Sequence, residues 1–192
     1  MKSDIFNKEI EYIKNDKYKE NLKIYINLLP DYFFTVPASS TGKYHPSFAL
    51  GDGGLVRHTK VAVRMANEII GGKTIGDKFT SDEKDLVLFA LTLHDGLKEG
   101  LIKEKYTRFD HPILMANFIK DNKDKTTLSD KEIELISSMI ASHMGEWNTN
   151  PYSDVVLPLP SNKYEKMVHM CDMLASRKFI DVKFDSNNNI ID

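Results

Sequence analysis

The chain has 192 residues, of which 41% are hydrophobic and 28% charged, and its formal net charge is −2. This balance is typical of a globular protein long enough to bury its own core, and it excludes a global basic field that would attract nucleic acid or anionic lipid. The single cysteine, Cys171, excludes an internal disulfide and a cysteine-based zinc cluster. Because no apolar run reaches membrane-spanning length and no signal-peptide pattern is present, we expect a cytoplasmic protein without a membrane partner.

The spacing of hydrophobic residues predicts helices along nearly the whole chain. The predicted helices cover residues 4–15, 17–29, 55–70, 80–93, 112–120, 129–143 and 162–178. Two of them begin with a capping box, Thr80–Glu83 and Ser129–Glu132. In a capping box, the side chain of each of the two residues accepts a hydrogen bond from the backbone N–H of the other. The sequence therefore predicts an all-α fold.

Two segments rich in Pro, Gly or Ser interrupt the helical pattern, at residues 31–54 and 146–160. Structureless stretches of this length usually carry function or move. The tail after residue 178 predicts a short strand or hairpin. Because no repeat or linker divides the chain, we predict one compact domain over residues 1–192, with N-terminal helices at 1–30.

Histidine and aspartate residues recur along the chain in a fixed order, namely His58, His94-Asp95, His111, His143 and Asp172. Three of these elements, at 58, 143 and 172, lie on the apolar face of a predicted helix, where a carboxylate is costly unless it is paired or binds a metal. The doublet directly follows an apolar helix, where both side chains can turn toward one ion. Imidazole and carboxylate together favour Mn, Fe, Co, Ni or Zn over Mg or Ca. We therefore predict a buried site for one or two divalent transition metal ions.

The ligand set is compatible with either one ion or two. Four side chains, those of His58, His94, Asp95 and Asp172, would hold one ion and leave room for water. The remaining His111 and His143 either complete a second ion site, with Asp95 as the bridge, or support the ligands from outside the coordination shell, or contact the substrate. Paired ions in such sites lie about 3.5–4 Å apart and activate a shared water.

Two further histidines, His45 and His169, are interpreted mainly as packing residues. The imidazole of His169 lies three residues before Asp172 and is a candidate for orienting a ligand from outside the coordination shell. The imidazole of His45 lies in the irregular 31–54 segment and is a candidate for the opening of the site.

The ordered set of histidines and aspartates resembles the HD-domain superfamily of metal-dependent phosphohydrolases. The resemblance covers roughly residues 53–178 and depends on the stretches GGLVRHT, LTLHDGLK, DHP, ASHMGEW and VHMCDMLASR. The GGL…H and SHxGE-like segments are similar to the HD portion of bacterial 3′–5′ exoribonucleases. The resemblance implies a helical bundle of HD-domain type with its catalytic core at 53–178.

In that family the first histidine, the HD doublet and the last aspartate bind one metal, and the two intermediate histidines occur in members that bind two. The resemblance implies hydrolysis of a phosphoester by metal-activated water, with Asp95 bridging the ions and orienting the water. It also implies that Lys98 neutralises charge on the phosphate. The doublet is followed by Gly-Leu-Lys where Ile-Gly-Lys is common, but Lys98 keeps the spacing of the family's lysine.

Candidate substrate contacts follow the ligands in the sequence. The side chains of Lys98, Arg108 and Arg177 are candidates for binding an anionic substrate, although such charges are usually solvated. Glu146 and Trp147 follow His143 closely, and the tryptophan either stacks on a base or packs under the proline-rich loop.

Three functions remain open at this point. The expected one is a phosphohydrolase acting on a small phosphorylated substrate, a nucleotide. The second has the same chemistry acting on single-stranded nucleic acid, which requires a positive groove with aromatic platforms. The third is a nucleotide-sensing module without turnover. The oligomeric state is open.

Overall fold

The computed structural model of the chain describes residues 1–39, 41–42, 45–180 and 182–191. Within these residues the chain forms α-helices and no strand, so the all-α prediction is confirmed. The helices are α1 (Asn7–Ile10), α2 (Asp16–Leu28), α3 (Gly54–Gly71), α4 (Lys73–Gly76), α5 (Ser81–Leu93), α6 (His111–Asp121), α7 (Asp130–Ala141) and α8 (Lys163–Ala175). Short 3-10 helices lie at Lys2–Phe6, Asp31–Phe34, Ser47–Ala49 and Lys123–Lys125. None of the described helices is long and apolar enough to cross a membrane.

Helix α5 lies at the centre of the fold. It contacts α2, α3, α7 and α8, and every residue from position 85 to position 93 is buried. A helix that is covered on all sides belongs to the core, and this explains why its apolar residues are not confined to one face. Because His94 and Asp95 follow α5 directly, the fold delivers them to the interior of the molecule.

Capping boxes begin α5 and α7, as the sequence predicts. The backbone N–H of Thr80 donates to Glu83 Oε2 over 2.8 Å, and the N–H of Glu83 donates to Thr80 Oγ1 over 3.2 Å. Ser129 and Glu132 form the same reciprocal pair at the start of α7. Each box satisfies two N–H groups that the first turn of a helix leaves without partners.

The predicted helix at residues 4–15 is interrupted. A 3-10 helix at Lys2–Phe6 continues into α1, which ends at Ile10. The backbone N–H groups of Lys14 and Asn15 then donate to the carboxylate of Asp85 over 3.0 and 2.8 Å. These bonds replace the bonds of a continuing helix and turn the chain into α2.

The last predicted helices end earlier than predicted. Helix α7 ends at Ala141, so His143 lies in the turn that follows it. The reason is local: Ser142 Oγ donates to Ser138 O over 2.8 Å, and the imidazole of His143 bonds to Ile140 O. Helix α8 ends at Ala175, where the predicted helix continues to 178.

The C-terminal tail forms a hairpin-like turn and, within the described residues, no strand. One antiparallel bridge joins Phe184 to Ile190, and the carboxylate of Asp185 accepts the N–H groups of Asn187 and Asn189 over 2.8 Å each. The ring of Phe184 packs 5.6 Å from that of Phe48. The tail therefore covers the 3-10 helix that precedes α3.

An ion pair, Lys60–Glu9, is buried where the N-terminal helices meet α3. Both side chains are 1% exposed, and Lys60 Nζ lies 3.8 Å from Glu9 Oε2 and 5.7 Å from the centroid of the Phe6 ring. Burial lowers the pKa of Lys60 and raises the pKa of Glu9, and the charge of each group opposes the effect of burial on the other. Such pairs often contribute little net stability.

We expect Lys60→Met to destabilise the fold by about 3–5 kcal/mol, because it leaves the Glu9 carboxylate buried without a cation. The double variant Glu9→Leu/Lys60→Met should be at least as stable as the parent, since it removes both desolvated charges. Urea unfolding at neutral pH measures both. Equal losses in the single and double variants would contradict this account of the pair.

Candidate metal centre

The six ligand side chains predicted from the sequence come together inside the helical core. They are supplied by α3 (His58), the end of α5 (His94 and Asp95), the first position of α6 (His111), the turn after α7 (His143) and α8 (Asp172). Their ligand atoms fall into two groups, each with all members within 4.8 Å of one another. The first ligand group is His58, His94, Asp95 and Asp172, and the second is Asp95, His111 and His143.

Asp95 belongs to both groups through different oxygens. Its Oδ2 lies 3.8 Å from His58 Nε2 and 3.5 Å from His94 Nε2. Its Oδ1 lies 3.0 Å from His111 Nε2 and 3.6 Å from His143 Nε2. A carboxylate that presents one oxygen to each set of nitrogens has the placement of a bridging ligand in a two-metal site.

The second carboxylate, Asp172, completes the first ligand group. Its Oδ1 lies 2.9 Å from His58 Nε2 and 3.2 Å from His94 Nε2. The side chain of Asp172 is 17% exposed, whereas that of Asp95 is 2% exposed. The centre therefore approaches solvent on the side of α8.

Three of the four ligand histidines are held by the same backbone contact. The Nδ1 atoms of His94, His111 and His143 each lie within 2.7 Å of the carbonyl oxygen three residues earlier. In this contact Nδ1–H donates to the carbonyl, so that Nε2 carries the lone pair. All three Nε2 atoms face the carboxylates, which is the tautomer and orientation that metal ligation requires.

His58 lacks this anchor, and its Nδ1 has no hydrogen-bond partner among the described residues. The ring of His45 lies against it instead, with the centroids 5.1 Å apart and the planes nearly perpendicular. Burial, with His58 and Lys98 nearby, lowers the pKa of His45 to about 3. The sequence could not place His45, because the irregular 31–54 segment has no periodicity from which a direction can be inferred.

Both carboxylates of the centre are ionised despite their burial. Desolvation acts to raise the pKa of Asp95, but Lys98 and His94 hold it well below its usual range. Desolvation is likewise overcome at Asp172, where His94 and His58 hold the pKa well below its usual range. The two carboxylates in turn raise the pKa of His94 against the effect of its burial. A divalent ion and a proton therefore compete for His94.

Two buried atoms of the centre, His94 Nε2 and Asp95 Oδ1, have no hydrogen-bond partner within the described part of the chain. His111 Nε2 lies near Asp95 Oδ1 but presents a lone pair, since its proton is on Nδ1, so the contact joins two acceptors. A buried acceptor left without a partner costs about 1–3 kcal/mol. A divalent ion in each ligand group would satisfy these atoms, and the imidazole–carboxylate set suits a transition metal.

Lys98 and Arg108 have different surroundings. Lys98 Nζ donates to Asp95 Oδ2, and its side chain is 11% exposed, so it lies at the edge of the centre. The guanidinium of Arg108 pairs with Asp110 over 2.9 and 2.8 Å and also with Glu104. Its carbonyl oxygen accepts the Nδ1–H of His111. Arg108 therefore orients a ligand through its backbone, while two carboxylates neutralise its side chain.

Of the remaining predicted substrate contacts, Glu146 and Trp147 adjoin His169, and Arg177 lies against Trp147. Glu146 Oε2 lies 3.1 Å from His169 Nε2, and the guanidinium of Arg177 lies 5.4 Å from the centre of the Trp147 ring. His169 Nδ1–H donates to the carbonyl oxygen of His143 over 2.8 Å. His169 thus supports the turn of His143, whereas the sequence had suggested that it orients Asp172.

Comparison of the chain with models of protein families, with curated proteins and with solved structures gives no match. The functional interpretation of the centre therefore depends on the geometry of its own side chains.

Proposed function

We propose that this chain is a metal-dependent phosphohydrolase of HD-domain type, which cleaves a phosphoester bond of a nucleotide with two divalent transition metal ions. The observation that carries the proposal is the position of Asp95, whose two oxygens face two separate sets of imidazole nitrogens. The resemblance of the sequence to HD-domain phosphohydrolases supports the same reaction.

Divalent ions held in the two ligand groups would supply Lewis-acid chemistry, polarising a phosphoryl oxygen and activating water for cleavage of the P–O bond. Asp95 is held ionised by Lys98 and His94, so it remains a ligand at neutral pH. The Nζ of Lys98 has three protons and uses one on Asp95, which leaves two donors at the edge of the centre for phosphate oxygens. Asp172, the most exposed ligand, lies where a substrate enters.

Single-stranded nucleic acid is the second candidate substrate. Two pairs of a cation and an aromatic ring lie on segments that adjoin the ligands: Arg177 over Trp147, and Lys105 Nζ 5.3 Å from the centroid of the Tyr106 ring. Such pairs bind bases and phosphates without sequence preference. A steep loss of activity with salt would favour this substrate over a small nucleotide.

The test is the metal content of protein purified without chelator, together with hydrolysis of bis(p-nitrophenyl) phosphate under Mn²⁺. We expect close to two equivalents of metal and metal-dependent turnover. Chelation should lower Tm by about 5–10 °C, because an ion bound only by the folded state stabilises it by mass action. No bound metal and no turnover after reconstitution with any of the five metals would overturn the proposal.

Variants of α6 assign the second ligand group. His111→Ala should reduce the metal content toward one equivalent, since Asp95 and His143 alone cannot hold the second ion. Asn117→Ala, at an exposed position of the same helix, should keep both equivalents. Two equivalents retained in His111→Ala would mean that His111 is not a ligand of the second ion.

A further inference from the structure

The turn after His143 lies flat on α8 because residue 145 is glycine. Gly145 has φ +57°, and the Cε1 atom of His169 occupies the space 2.1 Å from an ideal Cβ at this position. The N–H of Trp147 then donates to Met144 O over 3.2 Å. The indole therefore reaches the surface four residues after a ligand histidine, at a position set by α8.

The indole lies beside the part of α8 that carries Asp172. Its centre is 6.1 Å from the ring of His169 and 5.4 Å from Cζ of Arg177. Asp172 lies three positions after His169, about one helical turn, and α8 ends at Ala175, two residues before Arg177. Trp147 therefore contacts residues on both sides of Asp172 in the sequence, which is the most exposed ligand.

The indole and the guanidinium both remain available to a ligand. Trp147 is 44% exposed, although Arg177 and His169 lie against it. Arg177 donates to Met173 O and Ser176 Oγ over 3.0 and 2.8 Å, and within the described residues it forms no ion pair. The Arg108 side chain, in contrast, pairs with Asp110 and Glu104. The carboxylate of Glu146 is engaged with His169.

We propose that Trp147, backed by Arg177, is the subsite that stacks the nucleobase of the phosphoester substrate. The inference rests on the proposed hydrolase function, and it identifies the substrate as one that carries a base next to the scissile phosphate. An exposed aromatic face beside a guanidinium provides both stacking and a cation for phosphate. A mononucleotide and the end of a single strand share this chemistry.

Fluorescence tests the subsite without turnover, because Trp147 is the only tryptophan in the chain and the emission reports it alone. The probes are adenosine 5′-monophosphate, ribose 5-phosphate and a short single-stranded oligothymidylate, each added to metal-free and to Zn²⁺-loaded protein. We expect saturable quenching by the base-bearing probes and none by ribose 5-phosphate. Quenching by the oligonucleotide at a lower concentration than the mononucleotide identifies a strand, and the reverse order identifies a mononucleotide.

Variants measured with fluorescently labelled nucleotide complete the test. Trp147→Ala should weaken binding by about tenfold to a hundredfold, and Trp147→Phe should keep most of the affinity because it keeps a stacking ring. Tyr152→Ala is the matched control, since this aromatic residue of the same loop is 96% exposed. Equal binding by Trp147→Ala and the parent would overturn the proposal.

The two proposals fail in different ways. If the chain hydrolyses phosphoesters but ribose 5-phosphate quenches Trp147 as well as the nucleotides do, the base subsite is wrong and the hydrolase function stands. If no phosphoester is hydrolysed under any metal but the nucleotides quench and Trp147→Ala abolishes their binding, the hydrolase function is wrong and the chain binds nucleotides without turnover.

Discussion

Asp95→Asn is expected to lower kcat for phosphodiester hydrolysis by about 10²–10³-fold or more, with metal content falling from two equivalents to one or none. The substitution keeps the size of the side chain but replaces one oxygen with an amide nitrogen, which cannot ligate an ion. It therefore alters the one side chain that, among the described residues, belongs to both ligand groups. It also deprives Lys98 of its carboxylate partner.

The matched control for this variant is Asp124→Asn, which removes the same charge from an exposed position in the 3-10 helix at Lys123–Lys125. It should leave metal content and kcat unchanged. Elemental analysis and the bis(p-nitrophenyl) phosphate assay are run on both variants. Full turnover in Asp95→Asn would exclude a bridging role for this residue and, with it, the proposed mechanism.

The second large effect is expected at the start of α3, where Gly54→Ala should destabilise the fold by about 2–4 kcal/mol. A Cβ at position 54 would lie 2.2 Å from the carbonyl oxygen of Ala49 and 2.6 Å from its carbonyl carbon. Both are backbone atoms, so no side-chain rotation relieves the overlap. The start of α3 must shift, and His58 lies one turn further along.

Gly71→Ala is the control, because Gly71 is the last residue of the same helix and a Cβ there meets nothing within 4 Å. It should leave stability unchanged or raise it by up to about 1 kcal/mol, since alanine favours helices more than glycine. Thermal unfolding of both variants measures the difference. A Tm in Gly54→Ala as high as in Gly71→Ala would mean that the segment before α3 can shift to accommodate the Cβ at little cost in stability.

The parts of the fold that depend on neighbouring residues could be predicted from the sequence. Both capping boxes form, because the interacting groups lie three residues apart. The ordered histidines and aspartates come together, since helical periodicity placed His58 and Asp172 on core faces and a carboxylate is seldom buried without a partner. The predicted end of α7 is wrong. The spacing of apolar residues continues to His143, but the imidazole of His143 bonds to Ile140 O and the helix ends two residues earlier, at Ala141.

What could not be predicted depends on contacts between distant segments. The burial of Lys60 requires the N-terminal helices to pack on α3, and nothing near Lys60 in the sequence indicates this. The direction of His45 depends on the path of an irregular segment. The partners of Arg108 are, by contrast, local: Asp110 and Glu104 lie two and four residues away, but the sequence alone does not show that the turn before α6 brings both carboxylates to the guanidinium.

The contact between His58 and Asp172 joins residues that are 114 positions apart in the chain. An unfolded chain therefore offers no compact set of ligands, and an ion is retained only after α3, α5 and α8 have assembled. If the centre holds the proposed ions, the supply of metal in the cell would influence how much of the protein is present, because scarcity enlarges the open population that proteases attack. The amount of the protein in the cell, and not only its activity, would then depend on how much metal is available.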